Sequence, residues 1–282
     1  MKNFFSIIAL VLCVGVMACS EEYDADTAES NYVPSQGKRV ASLKTTYTME
    51  RDSVSYDYSF EHWLSYDAKG RIKSVNSNIV HYVADKVFFD TIYTRCNITS
   101  KADYLYKGEN LEVAYSVSRE FPDDHARNNG ESGVDKGVFN TAGVLTHFAA
   151  TDFIYLTNSL YKCYANGDVH YIVERDGSGN VSGYMQLMTS TDEVINDKSG
   201  AYSYSTLGNK TNFDFSAYFG YWGVERAVRM ISVPYYATYQ LAAFGMLGAG
   251  SKDLPAGDWE LEDGYPVSCV VDGRKTVITY CE

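Results

Sequence analysis

The stretch YDAKGRI, Tyr66–Ile72, has the form of a tight reversal between two strands. A tyrosine and an isoleucine enclose a short polar segment that contains a glycine. Glycine and Asp readily supply the positive φ angles of hairpin turns, and the flanking apolar residues can pair across the two strands. The stretch therefore predicts a β-hairpin.

Looser forms of this unit recur along the chain. It reads YKGENL at Tyr106–Leu111, FNTAGVL at Phe139–Leu145 and YANGDV at Tyr164–Val169. Between the units, apolar and polar residues alternate in FEHWLSY, VFFDTIYTRC and LEVAYSVS, as is typical of half-buried strands. The 25 tyrosines suit such strands as well. Repetition at this spacing predicts a mainly β fold, an antiparallel meander of hairpins.

A long meander has two unpaired edges, and closing it into a barrel removes them. We therefore expect a soluble β-barrel or a strongly curved sheet.

One segment departs from the strand pattern. PYYATYQLAAFGMLG, Pro234–Gly248, opens with a helix-tolerant proline and places Tyr236, Tyr239, Ala243 and Leu247 on one face. This spacing predicts one helix near residues 235–247.

The first eighteen residues have the form of an export signal. Lys2 precedes an apolar run, Phe4–Met17, that is too short for a comfortable membrane span but fits a signal-peptide core. The following Ala18-Cys19 completes a resemblance to the bacterial lipobox. The resemblance implies cleavage before Cys19 and acylation of Cys19, so that residues 1–18 are a lipoprotein signal peptide. The alternative is an ordinary secretory signal in which Cys19 is incidental.

Residues 19–37 are acidic and poor in aliphatic side chains, which predicts a flexible tether of roughly 25 Å. Ser20, directly after the cysteine, fits sorting to the outer membrane. Glu21 and Glu22 resemble the acidic export tag of Bacteroidetes surface lipoproteins. We therefore expect an outer-membrane lipoprotein on the cell surface, with the periplasmic face as the alternative. Acyl chains would hold it there at about 0.8 kcal/mol per buried methylene.

Residues 38–282 contain no Pro- or Ser-rich linker, which favours a single domain. The chain has 36 acidic and 24 basic residues, a net charge of −12, and such a field repels nucleic acid. Four cysteines remain beyond the tether: Cys96, Cys163, Cys269 and Cys281. An oxidising compartment permits two disulfides among them, in any of three pairings, or they are free and buried.

The order of the hairpin units carries a family resemblance. The units are followed by three further stretches: YSYSTLGNKTNFDF (Tyr202–Phe215), KDLP (Lys252–Pro255) and DGYPVSCVVDG. Over about Lys38–Tyr280 this order resembles DUF4595, a domain of unknown function in secreted Bacteroidetes lipoproteins. The resemblance implies a porin-like β-barrel fold and no established activity. The loop after Phe121 and the four cysteines depart from the family pattern.

We find no G-x-S-x-G, H-E-x-x-H, P-loop or dinucleotide motif, so the sequence predicts no catalytic residue, cofactor or metal site. The loop FPDDHARNNGESGVD, Phe121–Asp135, gathers carboxylates and amides but lacks the EF-hand spacing. It is either a solvated loop or a ligand loop. The candidate ligand residues in it are Asp123, Asp124, His125, Asn128 and Asn129.

The isolated histidines His62, His81, His147 and His170 are expected to be structural. Trp63, Trp222 and Trp259 are expected in the core rather than in a sugar-stacking platform. Thr27, Ser53 and Thr91 each follow an aspartate and precede an apolar residue, which resembles the acceptor of Bacteroidetes O-glycosylation.

These features favour a non-catalytic binding or structural module for a glycan, a peptide or an envelope partner. The alternative is an extracellular glycan-acting hydrolase, which needs two carboxylates across a cleft.

The lipobox resemblance makes a prediction about membrane association. Replacing Cys19 with Ala removes the acylated thiol, and we expect the chain to leave the membrane fraction or to stay unprocessed. Cell fractionation with intact-mass measurement tests this. Cys13→Ala, inside the apolar run, is the matched control and should change neither property. Normal processing and membrane association of Cys19→Ala would refute lipidation.

Overall fold

The structure, a computed structural model, describes residues 37–87, 90–149, 151–157, 160–164, 169–188, 190–197, 199–200, 202–213, 215, 218, 252–271 and 273–282. Its elements over these ranges are strands and one short 3-10 helix, His125–Arg127. The strands are β1 (Val40–Arg51), β2 (Val54–Tyr66), β3 (Ile72–Val87), β4 (Asp90–Lys107), β5 (Asn110–Glu120), β6 (Asn129–Phe139), β7 (Leu145–Phe148), β8 (Thr151–Thr157), β9 (Leu160–Tyr164), β10 (Val169–Arg175), β11 (Val181–Met188), β12 (Val194–Asp197), β13 (Tyr204–Gly208), β14 (Asp253–Pro255), β15 (Asp258–Glu262), β16 (Tyr265–Val271) and β17 (Arg274–Tyr280). The predicted mainly β fold is confirmed.

The predicted helix near residues 235–247 lies outside the described residues and is not borne out. Among the residues that are described, no helix is long and apolar enough to cross a membrane.

Fifteen strands form one antiparallel sheet in the order β12-β11-β10-β9-β8-β7-β6-β5-β4-β3-β2-β1-β17-β16-β15, and β13 pairs with β14. Within the fifteen-stranded sheet, strands that follow one another in the sequence pair with each other, and β1 also pairs with β17. Val40 lies opposite Tyr280, and the Cys281 amide donates to the Arg39 carbonyl at 2.9 Å. The beginning and the end of the sheet-forming chain are therefore neighbours.

The sheet is large and curved, and over the described residues it does not close into a barrel. Its terminal strands are β12 and β15, and no pairing joins them in the described part of the chain. Both are short, and β15 carries Asp258, Glu260 and Glu262. Short, acidic edge strands resist pairing with another edge. Of the two predicted shapes, the curved sheet is the one found.

Three turns of the meander share one hydrogen-bond pattern, centred on Asp67, Asn140 and Asp176. In each, the first Oδ atom accepts the backbone N–H groups two and four residues later, at 2.9–3.0 Å. The glycine three residues later has a φ of +75° to +91° and donates to the carbonyl of the first residue. Such side-chain acceptors replace the hydrogen bonds that the reversing backbone loses.

The turns at Asp67 and Asn140 confirm two of the predicted hairpins. The Tyr106–Leu111 hairpin is also present, with Lys107 opposite Asn110. Strands β9 and β10 pair as the fourth unit predicts, and their turn lies outside the described residues. The turn at Asp176 has no aromatic residue before it and was not predicted.

The first turn also holds a buried ion pair. Arg71 is 1 % exposed, and its Nε donates to Asp67 Oδ2 at 2.6 Å. Its Nη2 lies 2.6 Å from the same oxygen, and the guanidinium lies 4.5 Å from the centre of the Tyr106 ring. The pair thus joins the β2–β3 turn to β4. Breaking a buried pair is costly because one charge then stays buried alone.

The main core lies against one face of the sheet near these turns. Side chains alternate in and out along each strand, so every second residue contributes. The fully or nearly fully buried members include Leu43, Leu64, Val75, Tyr106, Leu111, Val113, Phe139, Phe148, Phe213, Phe215 and Leu254. Phe213, Phe215 and Leu254 come from segments outside the fifteen-stranded sheet and pack against its inner face.

Asparagine side chains fix these inner segments to the sheet. Asn212 Oδ1 accepts the Val40 amide at 3.1 Å, and Asn209 Nδ2 donates to the Phe213 carbonyl at 2.7 Å. Asn180, from the turn at Asp176, accepts the amides of Lys252 and Asp253 at 2.8 and 3.0 Å. The Asn-Lys-Thr-Asn and Lys-Asp-Leu-Pro stretches are therefore the parts that close this end of the fold.

The cysteines divide into two kinds. Cys96 and Cys269 are buried free thiols, and burial raises the pKa of Cys269 to about 12. Cys281 is in a disulfide. Pairings that involve Cys96 or Cys269 are therefore ruled out. The partner of Cys281 lies outside the side chains that the structure describes. Peptide mapping without reductant identifies it.

The buried pair at the first turn predicts the effect of its removal. Asp67→Ala should destabilise the fold by about 3–5 kcal/mol, because Arg71 then keeps a buried charge without a partner. Asn140→Ala is the matched control. It removes the same two turn hydrogen bonds at an exposed position and should cost about 1 kcal/mol. Urea unfolding measures both. Equal losses in the two variants would contradict a stabilising role for the pair.

Candidate ligand-binding rim

The antiparallel order assigns each turn to one of two ends of the sheet. The end that contains Val40, Tyr280 and the turns at Asp67 and Asn140 is called the entry end below. Because successive strands alternate in direction, the opposite end, called the rim, carries the turn Asp52–Ser53 and the loop 121–128. The main hydrophobic core lies at the entry end. The predicted ligand loop therefore lies at the far end of the molecule.

The loop folds on its own hydrogen bonds between β5 and β6. Asn128 Oδ1 accepts the Phe121 amide at 2.8 Å, and Asn129 Nδ2 donates to the Arg127 carbonyl at 2.9 Å. Residues His125–Arg127 form the short 3-10 helix. Asn128 and Asn129, two of the five candidate ligand residues, thus use their amides to shape the loop.

Arg127 fastens the loop to the neighbouring β3–β4 hairpin. Its Nη1 donates to Asp85 Oδ2 at 2.6 Å, and its guanidinium lies 4.4 Å from the centre of the Phe121 ring. Hydrogen bonding to Asp85 raises the pKa of Arg127. Both side chains are about one-third exposed, at 32 % and 37 %, so the pair contributes at most about 1 kcal/mol. Its main effect is to fix the position of the loop.

A second arginine braces the base of the loop. Arg119 on β5 donates to Glu131 Oε1 at 2.8 Å and to Asn129 Oδ1 at 3.1 Å, both on β6. Asp85, Arg119, Arg127 and Glu131 were not predicted as site residues. Their ion pairs join residues up to 42 positions apart, so no local sequence pattern predicts them.

Three candidate residues remain available at the rim. The side chains of Asp123, Asp124 and His125 are exposed and make no hydrogen bond within the described part of the chain. They project from a loop whose backbone is held by Asn128 and Arg127. Among the described residues, no three His, Cys, Asp or Glu side chains gather in a metal-binding arrangement. The loop therefore offers carboxylates and an imidazole to a ligand from a fixed backbone.

A small apolar cluster lies beneath the loop, formed by Ile79, Cys96, Ile98, Val117 and Phe121. His81, which faces Cys96 across β3 and β4, is 3 % exposed. Burial, with a smaller effect from the Arg119 charge, lowers the pKa of His81 to about 4. Burial also raises the pKa of the Cys96 thiol. Both groups are neutral at pH 7, which suits a supporting layer under the rim.

His62 belongs to a separate buried polar layer. Its Nδ1 lies 2.7 Å from Ser77 Oγ, and burial lowers its pKa to about 4. Beside it, the hydroxyls of Tyr218 and Thr276 each lie 2.7 Å from Thr45 Oγ1. These contacts agree with the structural role predicted for His62.

The other candidate residues fall in different places. Ser53 is exposed in the β1–β2 turn, and Thr91 is exposed near the tip of the β3–β4 hairpin, so both are at the rim end. Cys19 and Thr27 lie outside the described residues.

Trp259 is half-buried, donates to the Pro255 carbonyl at 2.7 Å and packs 5.3 Å from the Phe215 ring, as a core residue does. Trp63 is half-buried on β2. Trp222 lies outside the described residues.

No protein-family model and no curated protein matches the chain. Solved structures with detectable similarity include two porin-like proteins. A porin-like protein from Bacteroides uniformis ATCC 8492 is 10 % identical over 86 % of this chain and 97 % of its own, with a TM-score of 0.28. A porin-like protein from Bacteroides vulgatus ATCC 8482 is 11 % identical over 86 % of this chain and 99 % of its own, with a TM-score of 0.23. At these TM-scores the fold rests on the strand pairing alone. The DUF4595 resemblance stays a prediction.

The two buried histidines predict a loss of stability in acid. Their pKa in the folded protein, about 4, lies below the ordinary value of 6.5. The unfolded chain therefore binds more protons as the pH falls below 6.5, and stability drops until about pH 4. Each histidine should account for about 3 kcal/mol of the loss.

Urea unfolding between pH 7 and pH 4 measures this loss. His81→Leu should remove about half of the pH dependence, because Leu does not titrate and His62 still does. The exposed His125→Gln is the control and should leave it unchanged. A wild-type slope in His81→Leu would show that His81 is not responsible.

Proposed function

We propose that this chain is an outer-membrane lipoprotein, anchored through Cys19 and exposed on the cell surface, whose curved sheet serves as a non-catalytic binding module. One observation carries the proposal. The rim loop has a backbone fixed by Arg127, Asn128 and Asn129, while Asp123, Asp124 and His125 are left exposed. A fixed backbone with unengaged polar side chains lowers the ordering cost of binding.

The position of the loop fits an anchored protein. The chain enters the sheet at the entry end, where Gly37 packs against the backbone of Lys210 and Thr211. A lipid on Cys19 would hold this end towards the membrane through the tether. The rim, at the opposite end of the strands, would then face away from the membrane and towards external ligands. The same orientation would expose Ser53 and Thr91 to a glycosylating enzyme.

The ligand of such a module is a glycan, a peptide or another envelope protein. The rim carboxylates Asp85 and Glu131 are already paired with guanidinium groups. A glycan-acting hydrolase instead needs one carboxyl held protonated and another held ionised near the bond it cleaves. Because Asp85 and Glu131 are held in ion pairs, we infer that they position the loop and do not act as catalytic carboxylates. This favours the binding module over the hydrolase.

A binding and hydrolysis screen on the full-length protein tests the proposal. We expect saturable binding of at least one oligosaccharide, peptide or purified envelope protein, without turnover. Asp123→Ala combined with Asp124→Ala should weaken the binding about tenfold if both carboxylates make hydrogen bonds. Glu109→Ala combined with Glu262→Ala removes the same charge at the entry end and should not. Turnover of a polysaccharide that is lost with one carboxylate would favour the hydrolase.

Surface exposure has its own test. Protease treatment of intact cells should cleave the chain, whereas a periplasmic marker protein stays whole. Protection of the chain in intact cells, with cleavage only after the outer membrane is opened, would place it on the periplasmic face instead.

A further inference from the structure

A second feature of the rim end is a cluster of tyrosines, Tyr47, Tyr56, Tyr58, Tyr82 and Tyr93, on strands β1 to β4. The Tyr47 and Tyr58 rings stack at 4.6 Å with 5° between their planes. Tyr82 meets the edges of Tyr56 and Tyr58 at 5.0 and 5.3 Å, and Tyr93 lies 5.0 Å from Tyr56. The cluster bridges two hairpins, β1–β2 and β3–β4.

The cluster lies where these hairpins separate. The register between β2 and β3 reaches Ser59 opposite Val80 and goes no further. Closer to the rim than this last pair lie Tyr56 and Tyr58 on β2 and Tyr82 on β3. The rings thus occupy a position that backbone hydrogen bonds do not hold together.

Four of these tyrosines, Tyr56, Tyr58, Tyr82 and Tyr93, are joined by a continuous set of ring contacts. Burial raises the pKa of the Tyr58 hydroxyl, and the neighbouring Tyr93, Tyr82 and Tyr56 raise it further. None of the four hydroxyls has a hydrogen-bond partner within the described part of the chain. Tyr56, Tyr82 and Tyr93 are half-buried, so one side of the cluster faces solvent.

A cluster that only filled space could be made of phenylalanine. Phenols placed together without protein partners need water or a ligand to satisfy them. Ordered water on such a surface is readily replaced by a ligand that brings its own hydroxyls. Tyrosine also supplies rigid contact area at low entropic cost, with a ring face for stacking and a hydroxyl for hydrogen bonding.

The nearby charged groups do not block such a ligand. Arg274 lies with its guanidinium 4.9 Å from the centre of the Tyr47 ring, and Arg51 is close enough to affect the Tyr58 hydroxyl. The carboxylates of Glu50 and Asp57 accept hydrogen bonds from Ser55 and Thr48. The groups around the cluster therefore include donors suited to neutral or acidic hydroxyl-rich molecules.

From four contacting tyrosine rings at the rim end, whose hydroxyls lack hydrogen-bond partners in the described part of the chain, we infer that this tyrosine cluster is an oligosaccharide-binding site. Sugar rings pack against the half-buried Tyr56, Tyr82 and Tyr93, and the phenol hydroxyls exchange hydrogen bonds with sugar hydroxyls. The inference deepens the proposed binding function, on which it rests, by naming a ligand class and a site distinct from the rim loop.

The test uses the full-length protein and hexasaccharides of glucose, mannose, xylose and galacturonate, with titration calorimetry. We expect saturable binding of at least one of them. Tyr56→Phe, Tyr82→Phe and Tyr93→Phe keep the rings and remove one hydroxyl each, so each should weaken binding roughly 3- to 10-fold. Tyr265→Phe, at the entry end, is the matched control and should bind as the wild type does. Tyr93→Ala, which removes the ring, should abolish binding.

Circular dichroism and urea unfolding confirm that each variant is folded, and the Phe variants decide the outcome if Tyr93→Ala is not. Binding that the three Phe changes leave unaltered would overturn the inference. So would the failure of all four hexasaccharides to bind. If binding instead depends on Asp123 and Asp124 alone, the proposed binding function stands and this site does not.

Discussion

The register of the meander depends on one small device, a side-chain oxygen that accepts two backbone amides inside a turn. Asp67, Asn140 and Asp176 each do this with the same spacing and a glycine at positive φ. A shift of one residue in any of these hairpins would exchange the inward and outward faces of the following strand. The turns therefore decide that Leu111, Phe139 and their neighbours meet in one core. They also decide that His81 and Cys96 lie beneath the rim.

The two ends of the sheet are built in different ways. At the entry end the core is filled by rings and branched side chains, and asparagines tie the inner segments to β1 and to the turn at Asp176. At the rim the contacts are ion pairs and ring contacts between half-exposed residues, such as Arg127 with Asp85. Large apolar burial resists local opening, whereas exposed ion pairs are weak. The rim loop is therefore held in place by weaker contacts than those that hold the entry end together.

Much of this could be predicted from local sequence. The hairpin at Tyr66–Ile72 and those at Tyr106 and Phe139 follow from turn chemistry, since a glycine between apolar strands has few other uses. The turn at Asp176 was missed because a charged residue, Arg175, stands where the other units have an aromatic or apolar one. A buried arginine at position 71 could not be predicted, because its burial depends on Asp67 and on the Tyr106 ring across the sheet.

At the candidate site, the loop could be predicted from the sequence, but the ion pairs that hold it in place could not. Three of the five proposed ligand residues are free at the rim, and Asn128 and Asn129 shape the backbone instead. The tyrosine cluster could not be foreseen either, because 25 tyrosines in a β-rich chain give no sign of which ones meet. Closure of the sheet depends on how two distant edges approach, which no local pattern encodes.

The pairing of β1 with β17 has a consequence for the order in which the sheet forms. Val40 meets Tyr280, so one of the two neighbours of β1 is the strand that lies furthest from it along the chain. The hairpins between β2 and β6 are local and can form early, but one side of β1 stays an open strand edge until β17 pairs with it. An open edge is a template for wrong pairing between chains. A chain that lacks β17 would therefore aggregate rather than fold in part.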